Sequence, residues 1–194
     1  MGRPDLTEVR QKEILDAFEA CVAKYGLEGS SLERVAEEAG MKRSILRHYI
    51  GNRDDLIEAL AKRVVAKYRT HFQEFLENDS ETDRVDRLLA LFFPTKPLET
   101  AESVMVIESL IAASDQHTTV RMLMLEYVDD LVADTALELR AAYPNATKAR
   151  CWSVAYGLIC IWFNQESLAP LQLPGKYLRA ARANAKVLVE SLEI

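Results

Sequence analysis

Residues 31–56, SLERVAEEAGMKRSILRHYIGNRDDL, admit very few local structures. Ser31 stands where a helix can begin, because its hydroxyl accepts one of the backbone N–H groups left over in a first helical turn. Leu32, Val35, Ala36 and Ala39 then recur at helical spacing on one face. Gly40 follows where that helix must stop and the chain must turn. A second short helix begins near 42–44 and carries Ile45, Leu46 and Tyr49. From Gly40 to Arg53 the chain holds Lys42, Arg43, Arg47 and Arg53 and no acidic residue. Two short helices joined by a tight turn, the second of them basic, make a shape that fits the DNA major groove.

The rest of the composition makes this basic patch local. The net charge of the 194-residue chain is −6, so with +4 between Gly40 and Arg53 the other residues sum to −10. An acidic body discourages non-specific contacts away from the patch. Hydrophobic residues make up 49% of the chain and only 7 Gly and 6 Pro interrupt them, which predicts a helical globular protein of one or two domains. Cys21, Cys151 and Cys160 have no zinc or redox spacing and read as buried, reduced thiols in apolar helical surroundings. The polar start does not read as a secretory signal, and the longest apolar run, 151–163, is shorter than the roughly 20 residues a bilayer span needs. No membrane partner and a cytoplasmic location are expected.

Helical periodicity continues along the whole chain, with no alternating strand pattern and no internal repeat. Residues 1–6 form a short polar arm with Arg3. A first helix spans about 7–25, with Ile14, Phe18, Cys21, Val22 and Tyr25 on its apolar stripe and Gly26 at its end. A long helix starts near Asp54; Leu56, Leu60, Val64, Tyr68, Phe72, Phe75 and Leu76 step along it. Asp54 and Asp55 suit the positive end of its dipole. The next helix follows a capping-box-like Ser80 and Asp83 and is closed by Pro94 and Pro97. Further helices are expected over about 99–113, 119–143, 144–164 and 174–192.

At Ile14-Leu15, Ala17, Gly26, Ser30-Ser31, Val35-Ala36, Ala39-Gly40, Leu46, His48-Tyr49, Asn52-Arg53 and Leu56 the chain resembles the TetR family of bacterial transcriptional regulators. The resemblance covers about the first third of the chain. It implies an all-α fold of about nine helices. A three-helix head with a helix-turn-helix would occupy 1–53, and a ligand-binding and dimerisation body 54–194. It also implies a repressor that binds a palindromic double-stranded operator as a homodimer, released by a small-molecule effector, with no cofactor and no enzymatic activity. Carried over residue by residue, it assigns bases to Arg43, Ser44, Ile45 and His48, and phosphates to Ser31, Lys42, Arg47, Tyr49 and Arg53. Arg43 can bond guanine in a bidentate fork and Ile45 can touch a thymine methyl. The chain departs from the family at Arg47, where Tyr is usual, and at Ile50, where Phe is usual. Glu33 and Arg34 invert the usual basic-then-acidic order.

One helix-turn-helix reads only a few base pairs, so two are expected about 34–36 Å apart on a two-fold dimer. The near-continuously apolar 151–163 and the final helix are the expected dimer core. Trp152, Tyr156, Ile159 and Phe163 come from the first, and Leu178, Ala181, Ala185 and Leu188 from the second; burial within one chain is the alternative. For the effector, Glu108 interrupts an apolar helix, and Phe72, Phe93, Met105 and Tyr127, with Glu102, Ser109 and Met122, are candidates to surround it. Aromatics about a carboxylate suit a cationic or lipophilic ligand. The same residues at helical spacing also read as ordinary core, with Glu108 paired to Arg121 or Arg150 or facing water. An alternative function is a helical small-molecule-binding protein or enzyme without DNA binding. No HExxH, GxSxG, P-loop or dinucleotide pattern is present to supply its chemistry. Arg43→Ala is expected to relax base preference at one operator position, as read by selection of bound duplexes from a random pool; an unchanged consensus would refute the base assignment.

Overall fold

The computed structural model of the chain describes residues 6–77, 83–94 and 101–193. Nine α-helices and two 3-10 turns follow one another there, and no strand occurs among the described residues. They form two compact units. The first holds the described residues up to Phe72 together with Met105–Leu125. The second holds those within Gln73–Val104 and Glu126–Ile194. The expected arm with Arg3, the break near Ser80 and the stop at Pro97 lie outside the described residues.

In the first unit, α1 (Leu6–Gly29) packs on both α2 (Leu32–Glu38) and α3 (Arg43–Ile50). Ile14, Phe18, Cys21 and Val22 of α1 are buried, as are Val35 and Ala36 of α2 and Leu46 of α3. Each large side chain so buried contributes roughly 1.5–3 kcal/mol. Tyr25 departs from the expected stripe and is exposed; its ring instead carries the Arg34 guanidinium, 4.3 Å from the ring centroid. Nor does α1 end at Gly26. That residue takes φ 69°, ψ 172°, and the chain bends there and makes one more turn to Gly29. Buried Ser30 holds the bend, its hydroxyl donating to the Gly26 carbonyl at 2.7 Å.

The corner between α2 and α3 closes as its residues predict. The Ser31 hydroxyl accepts from Arg34 N at 3.3 Å. At the other end Gly40 has φ 63°, Gly40 N donates to Glu37 O and Met41 N to Ala36 O. This pair of bonds is a Schellman motif, which satisfies two orphan carbonyls and needs a left-handed residue where the glycine stands.

The long helix α4 (Arg53–Glu77) starts one residue earlier than expected. Asn52 Oδ1 accepts from the backbone N–H groups of Asp54 and Asp55, and Asp55 Oδ2 accepts from Asn52 N in return. Such a reciprocal cap satisfies donors at both ends of the first turn. Arg63 of α4 reaches across to Asp16 and Glu19 of α1, and Lys67 bonds Glu19 at 2.5 Å. Partial burial on its own would raise the Asp16 carboxyl, but Lys12 and Arg63 outweigh it and hold the group below its ordinary value.

In the second unit α5 (Arg84–Phe92) begins at Asp83, whose carboxylate caps Val85 N and Asp86 N. Asp83 is therefore the cap itself, not the third-residue partner of Ser80. The helices α6 (Ala101–Ala113) and α7 (Thr118–Ala142) agree with expectation where they are described. The next, α8 (Lys148–Ser167), starts later than Pro144, because Thr147 supplies the cap to Arg150 N. It packs against α9 (Lys176–Glu190), and α5 touches both. Gly157 permits this close approach: a Cβ there would meet Leu188 Cδ1 at 3.2 Å.

Arg53 closes the head. Its guanidinium donates to the carbonyls of Ser30 at 2.7 Å and Leu27 at 2.6 Å, tying the first turn of α4 to the corner after α1. This side chain, expected on phosphate, is only half exposed and its forks are engaged with backbone. Hydrogen bonds to a charged donor contribute about 1.5–3 kcal/mol. Arg53→Ala is expected to lower the unfolding free energy by about 1–3 kcal/mol in denaturant titration. Unchanged unfolding with only a reduced salt slope of DNA binding would return Arg53 to the phosphate role.

Candidate nucleic-acid interface

The basic helix α3 has one inward anchor and a free outer face. Leu46 is fully buried, and this fixes the rotation of the helix. Lys42, Arg43, Ser44, Ile45, Arg47 and His48 are all exposed. Ile45, a branched apolar side chain, shows 40% of its surface to solvent. An exposed Ile beside Arg and Ser is a surface suited to base edges and thymine methyls. Tyr49 is half-buried, with its ring edge-on to His48 at 5.1 Å. The Gln11 side-chain amide of α1 donates to the Tyr49 carbonyl at 3.0 Å, which holds the end of α3 to α1. Arg47 and His48 lie in the last turn of α3, at the negative end of its dipole.

Of the nine residues expected to touch DNA, the head gathers Lys42, Arg43, Ser44, Ile45, Arg47 and His48 on one exposed surface. Ser31 uses its oxygen as an acceptor in the cap, which leaves its hydroxyl proton for an outside acceptor. Arg53 leaves the group for the carbonyls described above. Arg43 is paired: its Nη1 lies 2.5 Å from Glu33 Oε1 of α2. Arg34, the other half of the inverted pair, is held by the Tyr25 ring and the Gly29 carbonyl.

The residues of this head match a known family model. Residues 14–60 fit the model described as "Bacterial regulatory proteins, tetR family". Over that segment the chain is similar to this family. Over 65 residues the chain is 32% identical to the HTH-type transcriptional regulator BetI of Paraburkholderia phymatum, covering 34% of this chain and 33% of that one. The BetI of Burkholderia cenocepacia is 32% identical over the same length, with 34% of each chain covered. The chain thus spans about a third of the length of these curated relatives. The fold likeness reaches much further. A transcriptional regulator from Rhodococcus sp. Rha1 superposes with a TM-score of 0.79 at 16% identity, over 95% of this chain and 98% of that one. A TetR transcription regulator from Haloarcula marismortui gives 0.76 at 16% identity, over 95% and 98%. At such identities the likeness is one of fold.

The head contains working residues that the sequence pattern did not single out. Gln11 reads as a polar helix residue, and its bond to a carbonyl 38 positions away leaves no local signature. The reciprocal Asn52–Asp55 cap was legible, since N-x-x-D is a capping spacing. The pairing of Glu33 with Arg43 was half legible in the inverted charge order. From the turn between α6 and α7, His117 Nδ1 lies 3.8 Å from Asp54 Oδ1 in the first turn of α4. Residues 105–125 thus pack within the same unit as the reading helices.

The other expected sites are less concentrated. Phe72, Met105 and Glu108 belong to the first unit, and Phe93 and Tyr127 to the second. Phe72, Phe93 and Tyr127 are buried; Met105 and Glu108 are half-buried. Burial pushes the Tyr127 phenol up to about 12. The Glu102 side chain lies outside the described residues. Thr135 of α7 is fully buried and its hydroxyl has no hydrogen-bond partner among the described residues, a signal no sequence pattern carries. Among the expected dimer residues, Ile159 and Ala185 are buried within the second unit and present no surface. Phe163, Leu178, Ala181 and Leu188 are half-buried. Trp152 and Tyr156 are exposed, at 52% and 48%, and their rings stack at 5.6 Å with 11° between planes. Cys160, expected to be buried, is exposed on the same stripe of α8. Beside it, α8 and α9 enclose a groove of about 430 Å³. Among the described residues no three His, Cys, Asp or Glu side chains are grouped to hold a metal ion, and no helix is long and apolar enough to cross a membrane.

Proposed function

We propose that the protein is a DNA-binding transcriptional regulator, a repressor that reads a palindromic operator as a homodimer and leaves it when a small molecule binds the body. The observation that carries this reading is the outer face of α3. Arg43, Ser44, Ile45 and His48 are exposed to solvent, while Leu46 locks the helix beneath them. Lys42, Arg47 and the Ser31 hydroxyl flank them as phosphate contacts, which set register, while the base contacts set sequence. Residues 1–53 act as the reading head and 54–194 as the sensing and pairing body, and the protein works in the cytoplasm beside the chromosome.

The partner in the dimer is a second copy, seated on the exposed stripe of α8 and on α9. Two stacked aromatic rings half open to water are costly for a monomer, and Trp152, Tyr156, Cys160 and Asn164 recur at four-residue steps along one face. Phe163, Leu178, Ala181 and Leu188 border the same face. An isologous contact there would give the two heads the two-fold symmetry a palindrome requires.

For release, an effector in the body would favour a state in which α4 no longer presents the heads at half-site spacing. The turn between α6 and α7 supports such a route, since His117 sits against the first turn of α4. A polar effector group reaching the Thr135 hydroxyl would relieve an orphan that costs about 1–3 kcal/mol.

Selection of bound sequences from a random DNA pool tests the reading. Recovery of an inverted repeat with half-site centres one helical turn or a multiple apart is expected; recovery of no sequence preference would refute it. Replacing both Trp152 and Tyr156 by Glu is expected to yield a folded monomer by sedimentation and to reduce operator affinity at least about a hundredfold. A variant that remained dimeric would move the interface elsewhere.

A further inference from the structure

We propose that Glu33 sets the selectivity of the reading helix by holding Arg43 until a guanine edge replaces it. The inference rests on the proposed DNA reading by α3. Glu33 lies in the first turn of α2 and Arg43 opens α3. The turn through Gly40 brings them together, with Arg43 Nη1 2.5 Å from Glu33 Oε1. Both side chains are more than half exposed, 53% for Arg43 and 60% for Glu33, so the pair lies on the surface and is not part of the packed head.

An exposed ion pair is weak, so this one is poorly suited to stabilise the fold and well suited to exchange. A carboxylate paired with Arg43 competes with phosphate for its guanidinium. Guanine presents two acceptors, N7 and O6, to a guanidinium fork, and so replaces the carboxylate with a matched pair of bonds. A phosphate offers Arg43 no such base-specific gain. On an arbitrary duplex, therefore, Arg43 stays with Glu33 and displaces few counterions. At the right base it transfers. Arg34 does not offer Glu33 a competing partner, because its guanidinium sits over Tyr25 and donates to the Gly29 carbonyl.

The experiment measures affinity for a selected operator duplex and for a random duplex across a salt series. It uses the wild type, Glu33→Gln, Arg43→Ala and the double variant. Glu33→Gln keeps the side-chain shape and removes the charge. It is expected to tighten random-duplex binding about three- to tenfold and to steepen its salt slope by about 0.9, the contribution of one further neutralised phosphate. Operator affinity is expected to change less, so the ratio of specific to random binding falls. In the Arg43→Ala background the same substitution is expected to leave random binding unchanged, since Glu33 acts through Arg43. The proposal is overturned by equal tightening on both duplexes, by no change on the random duplex, or by an effect that persists without Arg43. A wild type that binds both duplexes alike would overturn the DNA reading and this inference with it. A selective wild type with an indifferent Glu33→Gln variant would overturn the inference alone.

Discussion

Arg53 donates one arm of its guanidinium to the carbonyl of Ser30 and the other to that of Leu27. Both carbonyls belong to the corner where α1 bends at Gly26 and hands over to α2. The first turn of α4 is thus fixed to the place from which the helix-turn-helix is suspended. Around this clamp the remaining bonds are short-range and mutually consistent. Ser30 holds the bend, Ser31 caps α2, and Asn52 and Asp55 cap α4. A side chain that spans two helix ends does what three separate caps cannot: it sets the angle between α4 and the corner. Arg suits the position better than Lys, because a planar fork can address two carbonyls at once.

The electrostatics of the head follow from the same economy. Four cations between Gly40 and Arg53 give the stretch its basic character, yet Arg53 faces backbone and Arg43 faces Glu33. Lys42, just before α3, and Arg47 on it are the exposed cations of this stretch that form no ion pair among the described residues. The free charge offered to a polyanion is therefore smaller than the sequence count. Non-specific affinity scales with the number of phosphates neutralised, whereas discrimination scales with base contacts. On the proposed function, a head with modest free charge and an exposed Arg, Ser, Ile and His set would be weighted toward discrimination, and the acidic remainder of the chain would act in the same direction.

These details explain which parts of the molecule were readable from sequence. Ser31, Gly40 and Leu46 each have one favoured structural role, dictated by capping chemistry, by a left-handed backbone or by an apolar side chain on a short polar helix. Their positions fix the helix-turn-helix without reference to anything distant. A cation in a basic run such as Arg53 reads as a phosphate ligand, and its bonds to main-chain carbonyls, which every residue possesses, leave no mark in the sequence. Tyr25 was misread because helical spacing continues through it, but the bend at Gly26 turns its ring toward Arg34. The start of α8 was misplaced because Pro is welcome at a first helical position; the Thr147 hydroxyl, three residues on, is the cap the chain uses.

The sharpest limit on periodicity appears in α8. Its sequence, CWSVAYGLICIWF, is apolar nearly all round, and a helix of that kind reads as covered on more than one side, by its own chain or by a partner. The structure divides it into two unlike faces. Cys151, Val154, Ala155, Leu158 and Ile159 are buried, whereas Trp152, Tyr156 and Cys160 are exposed. What decides the division is the neighbour. Gly157 lets α9 approach closely along one side, and α5 packs against the pair, leaving the aromatic stripe uncovered. Hydropathy counts how much surface wants covering but is silent on how much one chain can cover. The difference between those two quantities is the surface left open on α8. In the proposed dimer a partner helix of the same kind, crossing at a shallow angle, would cover it with the small and branched side chains that α9 already carries.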